Sequence, residues 1–403
     1  MCKNNKIFQI FQTLLNAITH SSVASEFNNN HFGLLDIFSH KALSVLIKKH
    51  CPHFRQRIFD PLSTLQLFIG QAISPDKSLA GVVHQVNTLR SLHNQKPISV
   101  NTSAYAQARK RLPLSLLIDL FCQFTDKVQS QTPDHFRWRG RQITIVDGTT
   151  FTMADTLLNR GEWEKHDNNK SGKSNFPMLK LVGVFDLFTG IIQDFVIAPM
   201  KGQGTGEASL FLNLLQKKSG QQVVMADSLY ANYCLMARLL SKKIDFVLSS
   251  FGARKKDFRQ GIRLGKKDHL VTFKKPLICK GLSSEDFEGV QENITTRETE
   301  VVLYQKGFRP KAMVVYSSFL DPKEVSAEEL AWLYEKRWQA ELNFRNLKST
   351  LALQHLTSKD PEMIKKQFYA TFLAHNLIRY TMMQAAKKKI PYLMRLALKQ
   401  LCV

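Results

Sequence analysis

The chain has 403 residues, of which 44% are hydrophobic, so its length and composition exclude a short peptide and a bulk-disordered chain. Its 56 Lys and Arg residues outnumber its 33 Asp and Glu residues, which gives a net charge of +23. That excess predicts a polyanionic partner, of which nucleic acid is the commonest. We find no apolar run of the roughly 18 residues that cross a bilayer, and we therefore expect a cytoplasmic protein without membrane contacts.

The six cysteines are scattered along the chain, and no two form a Cys-x-x-Cys pair. This pattern predicts neither a zinc site nor a disulfide framework. We expect most of them to be small, buried or partly buried thiols in a reducing compartment.

Residues 1–138 are predicted to be helical, because apolar positions recur at helical spacing and β-branched runs are few. Arg109, Lys110 and Arg111 form a basic cluster there, and Pro113 should divide the surrounding stretch into two helices. Two interpretations remain open for such clusters. They are solvated helix faces, or they bind phosphates as part of an N-terminal DNA-binding region, which the global charge favours.

The hydrophobic period changes at about residue 139, and residues 139–250 read as three strands, a helix, a strand, a helix and a strand. The first strand is predicted to end at Asp147, and Asp227 follows the fourth. Side chains at the carboxyl ends of parallel strands meet at one edge of a sheet. The polar stretch 155–177 is predicted to be a mobile loop or disordered, and Asp186 a structural turn residue.

Residues 251–320 are rich in Lys and Arg and then in alternating apolar positions, which predicts a mainly β insertion. Residues 321–387 return to helical periodicity, and 388–403 form a basic, amphipathic tail. Ser326 with two following glutamates is a helix entry signal, and no Pro or Gly interrupts the chain up to Leu351. We therefore predict one continuous helix across this stretch.

On that helix Tyr334, Arg337, Glu341 and Lys348 would form one polar stripe bordering an apolar one. Charges at these spacings are often only solvated pairs. However, the spacing Tyr-x2-Arg-x3-Glu-x6-Lys resembles the C-terminal signature of DDE transposases of the insertion-sequence-four type. The Asp147-Gly148 pair resembles the context of that family's first catalytic aspartate.

The string Asp227-Ser228-Leu229-Tyr230 is similar to the family's second context, although Ser228 replaces the Arg that commonly follows. The resemblance implies an α/β fold: an RNase H-like mixed sheet with flanking helices, a mainly β insertion and an all-helical N-terminal domain. It also implies that Asp147, Asp227 and Glu341 are catalytic and bind two Mg²⁺ ions, for which Mn²⁺ can substitute.

The resemblance further implies that Arg337 and Lys348 bind DNA phosphates and that Tyr334 contacts the DNA backbone nearby. The expected activity is cleavage at transposon ends and transfer of the ends to target DNA, within a homodimer and at the bacterial nucleoid. A DNA hairpin intermediate is possible by analogy only. Two alternatives stay open, an RNase H-like repair nuclease and a non-catalytic DNA-binding regulator.

Overall fold

The computed structural model describes residues 34–74, 76–168, 172–216, 220–251, 254, 256–279, 287–304, 309–349, 353 and 355–387. The basic tail predicted at 388–403 lies outside these residues, as do residues 1–33 of the predicted helical region. In the described ranges, no helix is both long enough and apolar enough to cross a membrane.

The described N-terminal part is helical, as predicted. Its helices are α1 (Leu34–Ile37), α2 (His40–His50), α3 (Pro61–Ile73), α4 (Leu79–Leu92), α5 (Ser103–Arg111) and α6 (Leu114–Gln131). Ser39, Asp60 and Ser78 cap three of them, each accepting a hydrogen bond from a backbone N–H in the first turn. Pro113 separates α5 from α6, as the sequence indicates.

A mixed sheet follows, with the longest pairing along its first strand. Its elements up to residue 249 are β1 (Gln142–Met153), α7 (Leu157–Glu162), β2 (Lys165–Asn168), β3 (Gly172–Asp186), β4 (Ile192–Pro199), α8 (Glu207–Leu215), β5 (Gln222–Ala226), α9 (Tyr233–Ser241) and β6 (Asp245–Ser249). β1, β3 and β4 pair antiparallel, whereas β1, β5 and β6 pair in parallel. This is the RNase H-like strand order, and the predicted fold is confirmed.

The stretch between β1 and β3 is more ordered than predicted. α7 and β2 form within it, and β3 already begins at Gly172. Trp163 is only 1% exposed, and Asp155 pairs with Lys165 at 2.7 Å. Burial of a large aromatic side chain fixes this connection. The expectation of a mobile or disordered loop across 155–177 is therefore wrong for its described residues.

Asp186 has the structural role that was expected of it. It ends β3, is 2% exposed, and accepts hydrogen bonds from the backbone N–H and the hydroxyl of Thr189 at 2.7 and 2.8 Å. These bonds close the turn between β3 and β4.

The predicted insertion is mainly β, but it is not a separate sheet. Its strands are β7 (Ile262–Gly265), β8 (Asp268–Lys274), β9 (Asn293–Leu303) and β10 (Lys311–Ser317). β10 pairs antiparallel with β6, and β9, β8 and β7 follow in order. The pairing continues one sheet through the whole insertion, because β6 would otherwise present an unpaired edge.

Three of the remaining elements are helices that cover one face of this sheet: α10 (Ala327–Glu335), α11 (Trp338–Ser349) and α12 (Pro361–Lys387). The fourth, β11 (His355–Leu356), pairs in parallel with the end of β1 and belongs to the sheet. Ile145 of β1, Leu347 of α11 and Phe372 of α12 share a core with Phe121 of α6. Helices α8 and α9 bury the opposite face of the sheet. The N-terminal helices α3 and α6 thus pack against α12, and α6 also contacts β4 of the sheet.

One pair of cysteines departs from the expectation of free thiols. Cys234 of α9 and Cys279, which follows β8, form a disulfide, with their Cα atoms 6.3 Å apart. Their sequence separation of 45 residues gives no local signal, and only the fold of the extended sheet brings them together. Among the described cysteines, Cys51 and Cys122 are not part of a disulfide.

Candidate functional site

Asp147 lies on β1, and Asp227 directly follows β5, the parallel neighbour of β1. The register aligns Ile145 of β1 with Met225 of β5. Asp147 and Asp227 each come two residues after this aligned pair, so both lie at the same end of the stretch where the two parallel strands pair. Asp147 lies inside β1 rather than at its end, because β3 pairs with β1 as far as Thr152. The predicted strand-end position is therefore wrong for Asp147, whereas Asp227 directly follows β5.

A glycine lets α11 bring Glu341 to the same face of the sheet. Gly183 of β3 pairs with Asp147, and cross-strand partners share a face. A Cβ built on Gly183 would lie 3.0 Å from Cζ of Phe344, which is one turn after Glu341. The Phe344 ring also meets Phe185 edge-on, with 4.9 Å between the ring centroids. The missing side chain at Gly183 thus allows the helix to approach the strand of Asp147.

This packing predicts that Gly183→Ala impairs the site more than the fold. The added methyl group would push the Phe344 ring, and with it the helix that carries Glu341, away from β3. We expect a loss of about 1–3 kcal/mol in the free energy of unfolding from overpacking. The DNA cleavage that the family resemblance implies should fall by more than this loss of stability explains.

The measurement is denaturant unfolding beside a cleavage assay. Gly161→Ala is the matched control, because a Cβ there meets nothing within 4 Å. Unchanged cleavage in Gly183→Ala would contradict the assigned packing.

Electrostatic coupling shows that the three acids share one environment. Burial raises the pKa of Asp147 to about 6. The Gly148 N–H, at 3.0 Å from Oδ1, and the Arg337 guanidinium oppose that shift, while the negative charges of Asp227 and Glu341 add to it. Carboxylate oxygens are the donors that a hard divalent cation prefers. The residues therefore fit the metal chemistry that the resemblance implies.

Arg337 partly neutralises this group of acids. Its Nη2 donates to Glu341 Oε1 at 3.2 Å. Burial alone would lower the pKa of Arg337, but the neighbouring Tyr334, Asp147, Glu341 and Asp227 raise it above its ordinary value. Among the described residues, no three His, Cys, Asp or Glu side chains are gathered closely enough to form a ready-made metal site. The ion pair with Arg337 keeps the Glu341 carboxylate beside the first turn of α11.

The helix of the signature is broken, contrary to the prediction of one continuous helix. α10 ends at Glu335 and α11 begins at Trp338. The N–H groups of Arg337 and Ala340 bond three residues back instead of four, to Tyr334 and Arg337 at 3.0 and 3.1 Å. This tighter turn puts Arg337 at the junction. Tyr334 is consequently on a different helix from Glu341.

Tyr334 and Lys348 both have partners within the protein. Tyr334 is 5% exposed, and its hydroxyl shares a hydrogen bond with Ser249 at the end of β6. The Lys348 ammonium lies 5.2 Å from the centroid of the Phe151 ring, and burial lowers its pKa. Their contacts with DNA stay predictions.

The basic cluster on α5 separates into one half-buried and two exposed side chains. Arg109 donates to Gln71 Oε1 at 3.1 Å and lies 5.0 Å from the centroid of the Phe68 ring. These contacts tie Arg109 to α3 and give it a structural role. Lys110 and Arg111 are exposed, and the buried ammonium of Lys366 fixes the Lys110 carbonyl at 2.8 Å.

Glu207 is an acid near the site that its sequence position marks only as a first-turn residue of α8. Its carboxylate accepts a hydrogen bond from Tyr230 at 3.1 Å. Burial raises its pKa, and Asp227 adds to that shift. The sequence feature that indicates a neighbouring group is Gly148, because a glycine within a strand leaves room for a close approach.

Comparisons with known proteins point to one family. A family model described as transposase DDE domain matches residues 138–377. The chain is 25% identical over 324 residues to the transposase InsG for insertion sequence element IS4 of Escherichia coli (strain K12), covering 79% of this chain and 69% of that protein. It is 23% identical over 321 residues to the probable transposase for insertion sequence element IS5377 of Geobacillus stearothermophilus, covering 77% and 76%. A solved piggyBac transposase synaptic complex with hairpin DNA aligns with 92% of this chain and 79% of that one, at a TM-score of 0.45 and 10% identity.

Proposed function

The chain belongs to the DDE transposase family, whose domain model matches residues 138–377, and we propose that Asp147, Asp227 and Glu341 are its catalytic carboxylates. The family catalyses DNA cleavage and strand transfer. One observation carries the assignment. Asp227 and Glu341 are far from Asp147 in sequence, yet both lie close enough for their negative charges to raise the pKa of Asp147.

Phosphodiester cleavage needs an activated hydroxyl nucleophile and a group that compensates the charge on the leaving 3′ oxygen. Two Mg²⁺ ions, or Mn²⁺ in their place, would be held by the three carboxylates and would supply both. Asp147 and Asp227 are fixed by the parallel strands β1 and β5. Glu341 must exchange its ion pair with Arg337 for this role, which leaves the guanidinium free to bind a DNA phosphate.

Lys348 is about two turns beyond Glu341 on α11 and would bind a second phosphate. Tyr334 would reach the DNA backbone only through its hydroxyl, because the ring is buried. The substrates in this proposal are the transposon ends and the target DNA, brought together by a homodimer. A cytoplasmic, nucleoid-associated location in bacteria follows from these substrates and from the bacterial relatives.

The exposed cations of α5 are proposed to add sequence-independent affinity. Lys110→Gln with Arg111→Gln should weaken DNA binding about equally for all sequences and lower the slope of log K against log salt by about two. Fluorescence anisotropy at several salt concentrations measures this. Arg139→Gln is the control, because that guanidinium is already paired with Glu329 at 2.7 Å. An unchanged slope would remove the two residues from the interface.

The proposal is tested with purified protein, end-labelled duplexes and Mg²⁺. We expect nicking only in duplexes that carry the element's terminal sequences, followed by joining of the ends to a second DNA. A repair nuclease would cut without such sequence preference and would not join ends. A DNA-binding regulator would shift the duplex in a gel without cutting it.

A further inference from the structure

A fourth carboxylate lies against the backbone next to Asp147. Side chains alternate along β1, so Gly148 faces α8 while Asp147 faces α11. A Cβ built on Gly148 would overlap the carboxyl group of Glu207, the first residue of α8. Gly148 is not among the described glycines with positive φ. The glycine is therefore needed for the space it leaves to Glu207 and not for an unusual backbone conformation.

The same carboxylate is joined to the turn that carries Asp227. Tyr230 is fully buried, and its hydroxyl donates to Glu207 Oε2 at 3.1 Å. The Tyr230 N–H donates to the Asp227 carbonyl at 3.2 Å, and the Leu229 N–H donates to Asp227 Oδ1 at 2.8 Å. The Phe211 ring of α8 packs edge-on against Tyr230, with 6.0 Å between the centroids. Tyr230 thus stabilises the turn that carries Asp227, and its hydrogen bond to Glu207 fixes the Tyr230 side chain.

A charged carboxylate at Glu207 is less favourable for stability than a neutral hydrogen-bonding side chain would be. Lys180 of β3 partly offsets Glu207, but its ammonium also donates to the Thr205 carbonyl at 3.0 Å. Glu207 stands near Asp227, another acid. Burying a carboxylate beside like charges destabilises a fold unless strong hydrogen bonds offset the loss. An arrangement of this kind is characteristic of functional sites.

We propose that Glu207 is a positioning residue that sets the spacing of the two catalytic aspartates. It contacts the backbone of Gly148 beside Asp147, and through the Tyr230 hydroxyl it fixes the turn of Asp227. The inference rests on the proposed function, because this spacing matters only if both aspartates hold the same divalent ions. It gives a physical role to the glycine after Asp147 and to the tyrosine three residues after Asp227.

The test compares two tyrosines on the same turn and helix. Tyr230→Phe removes the hydroxyl that donates a hydrogen bond to Glu207. Tyr233→Phe is the control, because its hydroxyl donates instead to the Gln291 carbonyl at 2.6 Å. We expect Tyr230→Phe and Glu207→Ala each to lower kcat for nicking about 10- to 100-fold, as is usual for supporting residues at metal sites. The double variant should be no worse than either single one, because both remove one link.

Two further readouts separate positioning from a general loss of structure. Without DNA, the rise in Tm on adding Mn²⁺ should be smaller in Tyr230→Phe than in the wild type, while the metal-free Tm and the affinity for DNA stay close to wild type. Glu207→Gln can still accept the Tyr230 hydrogen bond through Oε1, so it should recover most of the activity that Glu207→Ala loses.

Gly148→Ala tests the contact on the other side of Glu207. The new methyl group should displace the flexible Glu207 carboxylate, so nicking should fall in the wild-type background but fall no further in Glu207→Ala. Equal losses in both backgrounds would overturn the inference. So would wild-type nicking and a wild-type Mn²⁺ response in both Tyr230→Phe and Glu207→Ala, a result that leaves the proposed function intact. Failure of the proposed function shows differently, as absence of metal-dependent nicking in the wild-type protein.

Discussion

Replacing Asp147 by Asn should lower the rate of DNA end cleavage by a factor of about 10³ or more, because an amide supplies no negative charge to a divalent cation. Asp227→Asn and Glu341→Gln should have losses of the same order. These effects should not add in double variants, since the three acids act as one unit. Affinity for DNA should change little, because phosphate contacts by Lys and Arg dominate it.

The measurement is a single-turnover cleavage assay with the binding affinity determined in parallel. Asp186→Asn is the matched control: it is a buried aspartate of the same sheet, bonded to Thr189 in the turn after β3 and to Gln142 of β1 rather than to the three acids. The control should cleave normally if it folds, as its Tm will show. Cleavage at wild-type rates in Asp147→Asn would contradict the assignment of the site.

Replacing Asp268 by Ala should destabilise the fold by about 3–5 kcal/mol, the usual cost of leaving a buried charge unpaired. Arg297 of β9 is fully buried, and its Nε and Nη2 donate to the two Asp268 oxygens at 2.8 and 2.5 Å. Its Nη1 donates to the Val325 carbonyl at 2.5 Å. Asp268 also accepts from the Thr299 hydroxyl at 2.8 Å.

Denaturant unfolding measures this loss. Asp257→Ala is the control, because its partner Arg259 is solvent-exposed and the pair should contribute little. Adding Arg297→Met to Asp268→Ala should recover part of the stability by removing the unpaired charge. Equal stability of Asp268→Ala and the control would refute the ion pair's role. Because Val325 directly precedes the cap of α10, the variant should also loosen the segment leading to Arg337 and Glu341.

The order of strands and helices in the catalytic sheet follows from periodicity, because buried parallel strands such as QVVMA leave a strong local signal. The length of β1 does not follow. Beyond Asp147 its residues Gly148 to Met153 are polar or mixed in character, and they are held as a strand by pairing with β3. The break between α10 and α11 could not be predicted either, because no Pro or Gly marks it. It is formed by backbone hydrogen bonds that the Tyr334 and Arg337 carbonyls accept from residues three positions later.

Non-local contacts explain the other differences between prediction and structure. Arg109 carries the same charge as its two neighbours, and only its contacts with α3 show that it is half-buried. The Cys234–Cys279 disulfide depends on the position of the chain after β8 relative to α9. The role of Glu207 depends on a space above Gly148 that exists only in the folded sheet.

The most direct test is anomalous scattering from crystals of the protein bound to transposon-end DNA and Mn²⁺. Two metal peaks should lie about 3.5–4 Å apart, each bound by oxygens of Asp147, Asp227 or Glu341, with Arg337 turned from Glu341 toward a phosphate. Manganese bound elsewhere, with these three carboxylates remaining more than about 12 Å from one another in the DNA complex, would contradict the account.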